Sequence, residues 1–89
     1  MIHFFSNVDN SSHCYEEKAV TRSYKINRDV YGDLESYTCK GCEDICIKPV
    51  YGSFSSNRPT CYELFYKGRS IGYTTTLKDC KIAAEYILV

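Results

Sequence analysis

The stretch whose reading decides the fold is Cys61–Val89, CYELFYKGRSIGYTTTLKDCKIAAEYILV. Tyr62, Leu64 and Tyr66 alternate with Cys61, Glu63 and Phe65, a period-two pattern that predicts a strand. Lys67-Gly68 or Gly68-Arg69 then supplies a tight hairpin turn, and Ile71 and Tyr73 resume the alternation. Either register puts Tyr62, Leu64, Tyr66, Ile71 and Tyr73 on one face. Thr76 is an N-cap residue, with Asp79 at the third helical position to complete a variant capping box. Beyond it Leu77, Cys80, Ala84, Ile87 and Leu88 follow three-four spacing, while Lys78, Asp79, Lys81 and Glu85 lie off that stripe. The module therefore reads as a hairpin followed by a helix, the helix stripe packed on the tyrosine-bearing strand face.

Working outward, Ser36–Tyr51 reads as a second hairpin. Tyr37, Thr38 and Cys39 form one arm and Ile45–Tyr51 the other, with residues 40–44 as the connection. Pro49 cannot donate to a ladder, so this arm is expected at an edge or to end nearby. Residues 52–60, GSFSSNRPT, form a polar loop. Lys18–Asn27 alternates loosely and predicts a half-exposed strand. Gly32-Asp33 signals a turn. Met1–Phe5 could be a short strand, Ser6–Ser12 is a polar loop, and residues 14–17 carry little pattern. The expectation is a single α+β domain over residues 1–89: an antiparallel sheet of four to five strands packed against one C-terminal helix.

A chain of 89 residues buries only about 60–65% of its unfolded surface, so its core is small. Nine tyrosines and no tryptophan place some rings at the surface, where an apolar body with a polar tip suits protein contact. The net charge is zero, but residues 1–45 hold five Lys/Arg against eight Asp/Glu and residues 46–89 hold six against three. That balance argues against a dedicated DNA binder, which presents a strong basic field. No apolar run reaches the roughly 20 residues needed to span a bilayer. The first residues lack the basic and apolar regions of a secretory leader. The expected location is cytoplasmic, where thiols stay reduced unless a metal or a catalytic cycle claims them.

The six cysteines carry the strongest chemical signal. Cys39-Lys40-Gly41-Cys42 is a C-x2-C turn that can aim two thiolates at one ion. Cys46 and Cys61 are candidate third and fourth ligands for one structural Zn2+, with Cys14, His13, His3 and Cys80 in reserve. A zinc ribbon brings a second such pair, which this chain lacks. Reduced thiols used as small buried hydrophobes, or a disulfide such as Cys39–Cys46, remain open beside the metal. His13 next to Cys14 suggests a nucleophile and base, but neighbours on a strand point to opposite faces. No phosphate loop, nucleophile elbow or H-E-x-x-H occurs, and the chain is read as non-enzymatic.

Binding features remain. Glu16-Glu17, Asp33 with Glu35, and Glu43-Asp44 are acidic clusters that can meet a basic partner. Tyr31, Tyr37, Tyr51 and Phe54 lie in or beside loops and are candidate anchors. Lys48, Arg58, Lys67 and Arg69, with Tyr51, Phe54 and Phe65, could form a basic aromatic surface for nucleic acid. The blander reading is a set of charges that keeps a hairpin tip soluble and blocks strand addition.

The pattern YELFYKGRSIGYTTTLKDCKIAAEYI resembles the sheet-and-helix ending of several small phage-encoded inhibitors, notably anti-CRISPR proteins. It is also similar to the end of AP2-like DNA-binding domains, though the arginine and tryptophan ladder of those is missing. The first resemblance implies a non-catalytic protein that docks on a host protein or ribonucleoprotein complex and blocks it by occupancy. The alternative is a zinc-stabilised nucleic-acid-binding module.

Overall fold

Lys67 and Gly68 both adopt positive φ, at 52° and 80°. That is the primed two-residue turn whose twist matches paired strands, so the hairpin closes at Lys67-Gly68. The computed structural model describes residues 1–52 and 58–88. Seven strands run in order: β1 (Ile2–Ser6), β2 (Ser12–Tyr15), β3 (Tyr24–Arg28), β4 (Leu34–Cys39), β5 (Ile45–Val50), β6 (Cys61–Tyr66) and β7 (Arg69–Thr74). One helix, α1 (Leu77–Ile87), follows. The strands form a single antiparallel sheet in the order β2-β1-β7-β6-β5-β4-β3. The α+β class and the C-terminal helix stand, but the sheet has seven strands, not four to five. The undercount lies at the N-terminal hairpin. β2 reads SHCY, and an edge strand with three exposed residues needs no apolar alternation.

The helix begins where capping predicts. Thr76 is extended and its Oγ1 accepts from Asp79 N–H at 3.1 Å. It packs over β1, β6 and β7, burying Cys80, Ile82, Ala83 and Ala84 against Ile2, Phe4, Ile45, Ile47 and Leu64. Each fully buried Ile or Leu contributes on the order of 2 kcal/mol of transfer free energy. Gly72 marks the tightest approach: a Cβ there would lie 2.4 Å from both the Phe4 ring and the Phe5 carbonyl oxygen.

The expected core face needs a correction. Tyr62 pairs with Thr74 and Leu64 with Gly72, but Phe65 pairs with Ser70. Ile71 is therefore an extra residue, a bulge that shifts the phase of the rest of β7. Ile71 stays packed on the core. Thr74 takes the inner position, and Tyr73 turns to the opposite, open face, where it stacks on Phe5 at 5.2 Å between centroids. Glu85, off the expected apolar stripe, is also inside the fold at 3% exposure.

What buries Glu85 is the connection between the sheet's two edge strands. Between Tyr15, which ends β2, and Tyr24, which opens β3, the chain must cross the whole sheet. Six strand spacings of about 4.8 Å make roughly 29 Å. Nine residue steps reach only about 30–32 Å when fully drawn out. The segment is thus a strap with little length to spare, and it passes over the helix on its way. This is why the expected strand at Lys18–Asn27 begins only at Tyr24.

Two adjacent helix residues clasp the strap. Tyr86 donates its hydroxyl to the Glu16 carbonyl at 2.9 Å and stacks on Tyr15 at 4.6 Å. Glu85 Oε1 accepts from the N–H groups of Thr21 and Arg22, each at 3.2 Å. Its Oε2 takes the Arg22 guanidinium at 2.7 Å. Glu85→Ala would orphan two backbone donors and is expected to cost about 3 kcal/mol. Glu85→Gln keeps an acceptor and is expected to cost less than half of that. Urea midpoints at neutral pH read both.

Candidate functional site

Asp29 builds an exposed turn fastened by several hydrogen bonds. Its Oδ1 accepts from Tyr31 N–H at 2.9 Å and Asp33 N–H at 3.0 Å. Its backbone N–H donates to the Asp33 carbonyl and its carbonyl accepts from Gly32 N–H. Gly32 takes the positive φ of 83° that the turn requires. Arg28 Nη1 closes the loop on the Gly32 carbonyl at 3.0 Å. The result is a fastened turn whose two central side chains, Val30 and Tyr31, are 93% and 86% exposed. Beside it lies a hollow lined by Asp33, Leu34, Tyr51, Pro59 and Tyr62.

The sequence-predicted contacts divide among four places. Tyr31, Asp33 and Tyr51 gather at this end of the sheet, with Glu35 exposed on β4 just beyond. Glu43 and Asp44 sit at the opposite end, in a hollow shared with Lys48, Phe65 and Lys67. Lys48 lies 4.9 Å over the Phe65 ring. Glu16 and Glu17 ride exposed on the strap, where Glu17 lines a groove with Lys18, Lys78 and Lys81. Tyr37 is half-buried on the helix face beneath the Lys81 ammonium, which lies 5.7 Å from its ring centre. Phe54 lies outside the described residues. The basic residues do not form one patch: Lys48 and Lys67 share their hollow with carboxylates.

The cysteines occupy different environments. Cys39 and Cys42 are joined by a turn, with Cys42 N–H donating to the Cys39 carbonyl at 3.3 Å. Gly41 supplies the positive φ. Cys46 pairs across from Phe65, at the other end of β5 from Val50, which faces Cys61. Thr38 is opposite Cys46, so Cys39, the next residue on β4, points to the other face. The four expected zinc ligands are thus not gathered round one point. Among the described residues no three His, Cys, Asp or Glu are arranged to hold a metal. All six cysteines are free thiols. Burial pushes the Cys39 thiol up and carries Cys80 to about 12. Those two serve as small core hydrophobes and are poor nucleophiles. The buried Tyr24 hydroxyl, for which no partner is found among the described residues, is pushed up by burial and then by Cys39 beside it.

Two arrangements escaped sequence reasoning. One is a chain of Asp9, Ser11 and His13, a set that invites comparison with a hydrolase. The Ser11 hydroxyl donates to Asp9 at 2.6 Å and meets His13 Nε2 at 2.9 Å. A hydrolase puts the imidazole between the carboxylate and the hydroxyl; here the hydroxyl is in the middle and its proton goes to the acid. The Ser11 hydroxyl, then those from Ser6 and the Ser11 backbone, hold Asp9 down at about 2. This is a turn fastener. The other is His3 with Cys14, joined across β1 and β2. The register, which only the fold reveals, brings together residues separated by ten others.

No helix among the described residues is long and apolar enough to cross a membrane. No family model matches the chain, and no curated protein or solved structure matches it.

Cys80 gives a pH test of the core. Its folded value exceeds its ordinary 9.0, so folding favours the protonated thiol. That contribution is whole below pH 9 and is lost as pH climbs towards about 12. Between pH 9 and 11, Cys80→Ala is expected to flatten the alkaline decline in stability by up to about 1.4 kcal/mol per pH unit. Urea unfolding across that range checks it.

Proposed function

We propose that this chain is a small non-catalytic docking protein that seats its Asp29–Asp33 end on another protein and blocks the site it covers. The observation that carries this reading is the fastened turn holding Val30 and Tyr31 almost fully in water. A loose loop would lose side-chain and backbone freedom on binding; a pre-ordered one loses little, so more of the contact energy appears as affinity. Tyrosine is a common anchor at interface centres because it buries a large ring and satisfies its hydroxyl.

Charge describes the partner. Asp33 and Glu35 flank the tip, and both are exposed. The matching surface is an apolar pocket with a basic rim. Such rims occur where a protein or ribonucleoprotein holds a nucleic acid, and occupying one would compete with that ligand. This is the mode of action that the resemblance to small phage-encoded inhibitors implies. The mixed charges round Lys48 and Lys67 favour it over direct nucleic-acid binding, which needs a continuous basic track.

Affinity purification from the source cells, followed by cross-linking mass spectrometry, tests the reading. A protein partner cross-linked near the Asp29–Asp33 turn is expected. Tyr31→Ala should weaken its binding roughly 30-fold, as loss of an anchor does, while leaving the thermal midpoint unchanged. Recovery of nucleic acid alone, or an unaltered affinity in Tyr31→Ala, would overturn it.

A further inference from the structure

Cys14 differs from the other five cysteines in being exposed. It lies on β2 directly across from His3 on β1, and His3 Nδ1 is 3.3 Å from its Sγ. A thiol within hydrogen-bond reach of an imidazole is a pairing in which the ring can take the thiol proton as sulfur attacks. Both side chains stand on the open face, away from the helix. Phe5 and Ser12, the next same-face pair along the two strands, lie about 7 Å further on.

There Phe5 and Ser12 join Asn7, Asn10 and Tyr73 around a hollow of roughly 310 Å³. Its floor is the stacked Phe5–Tyr73 pair, and its rim carries amides and hydroxyls. Among the described residues β2 pairs with β1 alone, so its outer edge also offers backbone donors and acceptors to an extended peptide. An exposed thiol beside an imidazole, a hollow with amide and hydroxyl groups one step away and an open strand edge together fit one class of ligand.

We propose that Cys14 is a reversible exchange site for small peptide disulfides, with His3 as the base that takes the thiol proton. His3 Nδ1 accepts that proton. Sγ attacks one sulfur of the disulfide, and a new Sγ–S bond forms as the original S–S bond breaks. The departing thiolate recovers the proton from the imidazolium. Cys14 is oxidised, the leaving sulfur is reduced, and the incoming disulfide is the only oxidant. Thiol–disulfide exchange needs a thiolate and access to it, so a pair on an open sheet face suffices. The peptide part of the ligand occupies the hollow.

Glutathione disulfide at neutral pH is the probe, read by intact mass and peptide mapping. One glutathionyl group per chain is expected, on Cys14, and none on Cys14→Ser. His3→Ala is expected to slow the reaction roughly tenfold, since an unassisted thiol is largely protonated at neutral pH. That gap should close under alkaline conditions, where thiols ionise unaided; a merely structural loss would persist. The same-face neighbours on one side, Phe5, Ser12 and Tyr73, carry no charge at neutral pH; on the other side the next same-face positions are Met1, with its α-amino group, and Glu16. First modification of another cysteine, or an unchanged neutral rate in His3→Ala, would overturn the proposal. Tyr73→Ala should slow glutathione disulfide and leave 2-hydroxyethyl disulfide unaffected; an equal effect on both would remove the hollow from it. The Tyr31→Ala docking test uses a separate surface, so either reading can fail without the other.

Discussion

The Glu85 carboxylate holds the architecture together. It sits on the helix, yet it accepts from two backbone amides and a guanidinium of the strap that joins the sheet's outermost strands. A seven-stranded sheet backed by one eleven-residue helix leaves much of its inner face uncovered. The strap supplies part of the missing cover. A buried carboxylate is costly unless its lone pairs are filled, and only the strap can fill them. The helix and the strap therefore require each other. Lys81 extends the same union outward by lying over the rings of Tyr24 and Tyr37 at 5.2 and 5.7 Å.

How much of this was legible depended on whether the signal was local. The β6–β7 turn, the Thr76 cap and the helix could be read because each rests on residues within a few positions of one another. Tyr73 was assigned to the wrong face because a bulge at Ile71 has no compositional mark, and one extra residue inverts everything after it. β2 could not be read because an edge strand need not alternate. Glu85 was placed off the apolar stripe because its partners, Thr21 and Arg22, are more than sixty positions away. The site follows the same rule. Tyr31, Asp33 and Tyr51 were visible as loop residues, whereas the fastening by Asp29 and the meeting of His3 with Cys14 are products of geometry.

The cysteines show why residue spacing alone is a weak guide to chemistry. Cys39 and Cys42 share a turn, as the C-x2-C pattern suggests, but β4 sends Cys39 into the core and the ladder places Cys46 and Cys61 at separate ends of the open face. One sequence pattern thus resolves into a core hydrophobe, a turn residue and two surface-strand residues. The exposed thiol, Cys14, lies outside the pattern.

The pairing of Phe5 with Tyr73 has a consequence for how the chain is made. The β1–β2 hairpin emerges from the ribosome early, yet its inner neighbour β7 is synthesised some sixty residues later. Until then β1 is an unpaired edge with Ile2 and Phe4 uncovered, and the strap has no helix to cross. Pairings this distant in sequence slow folding and leave nascent chains open to aggregation. The N-terminal hairpin is thus the segment most dependent on protection until β7 and the helix have been made.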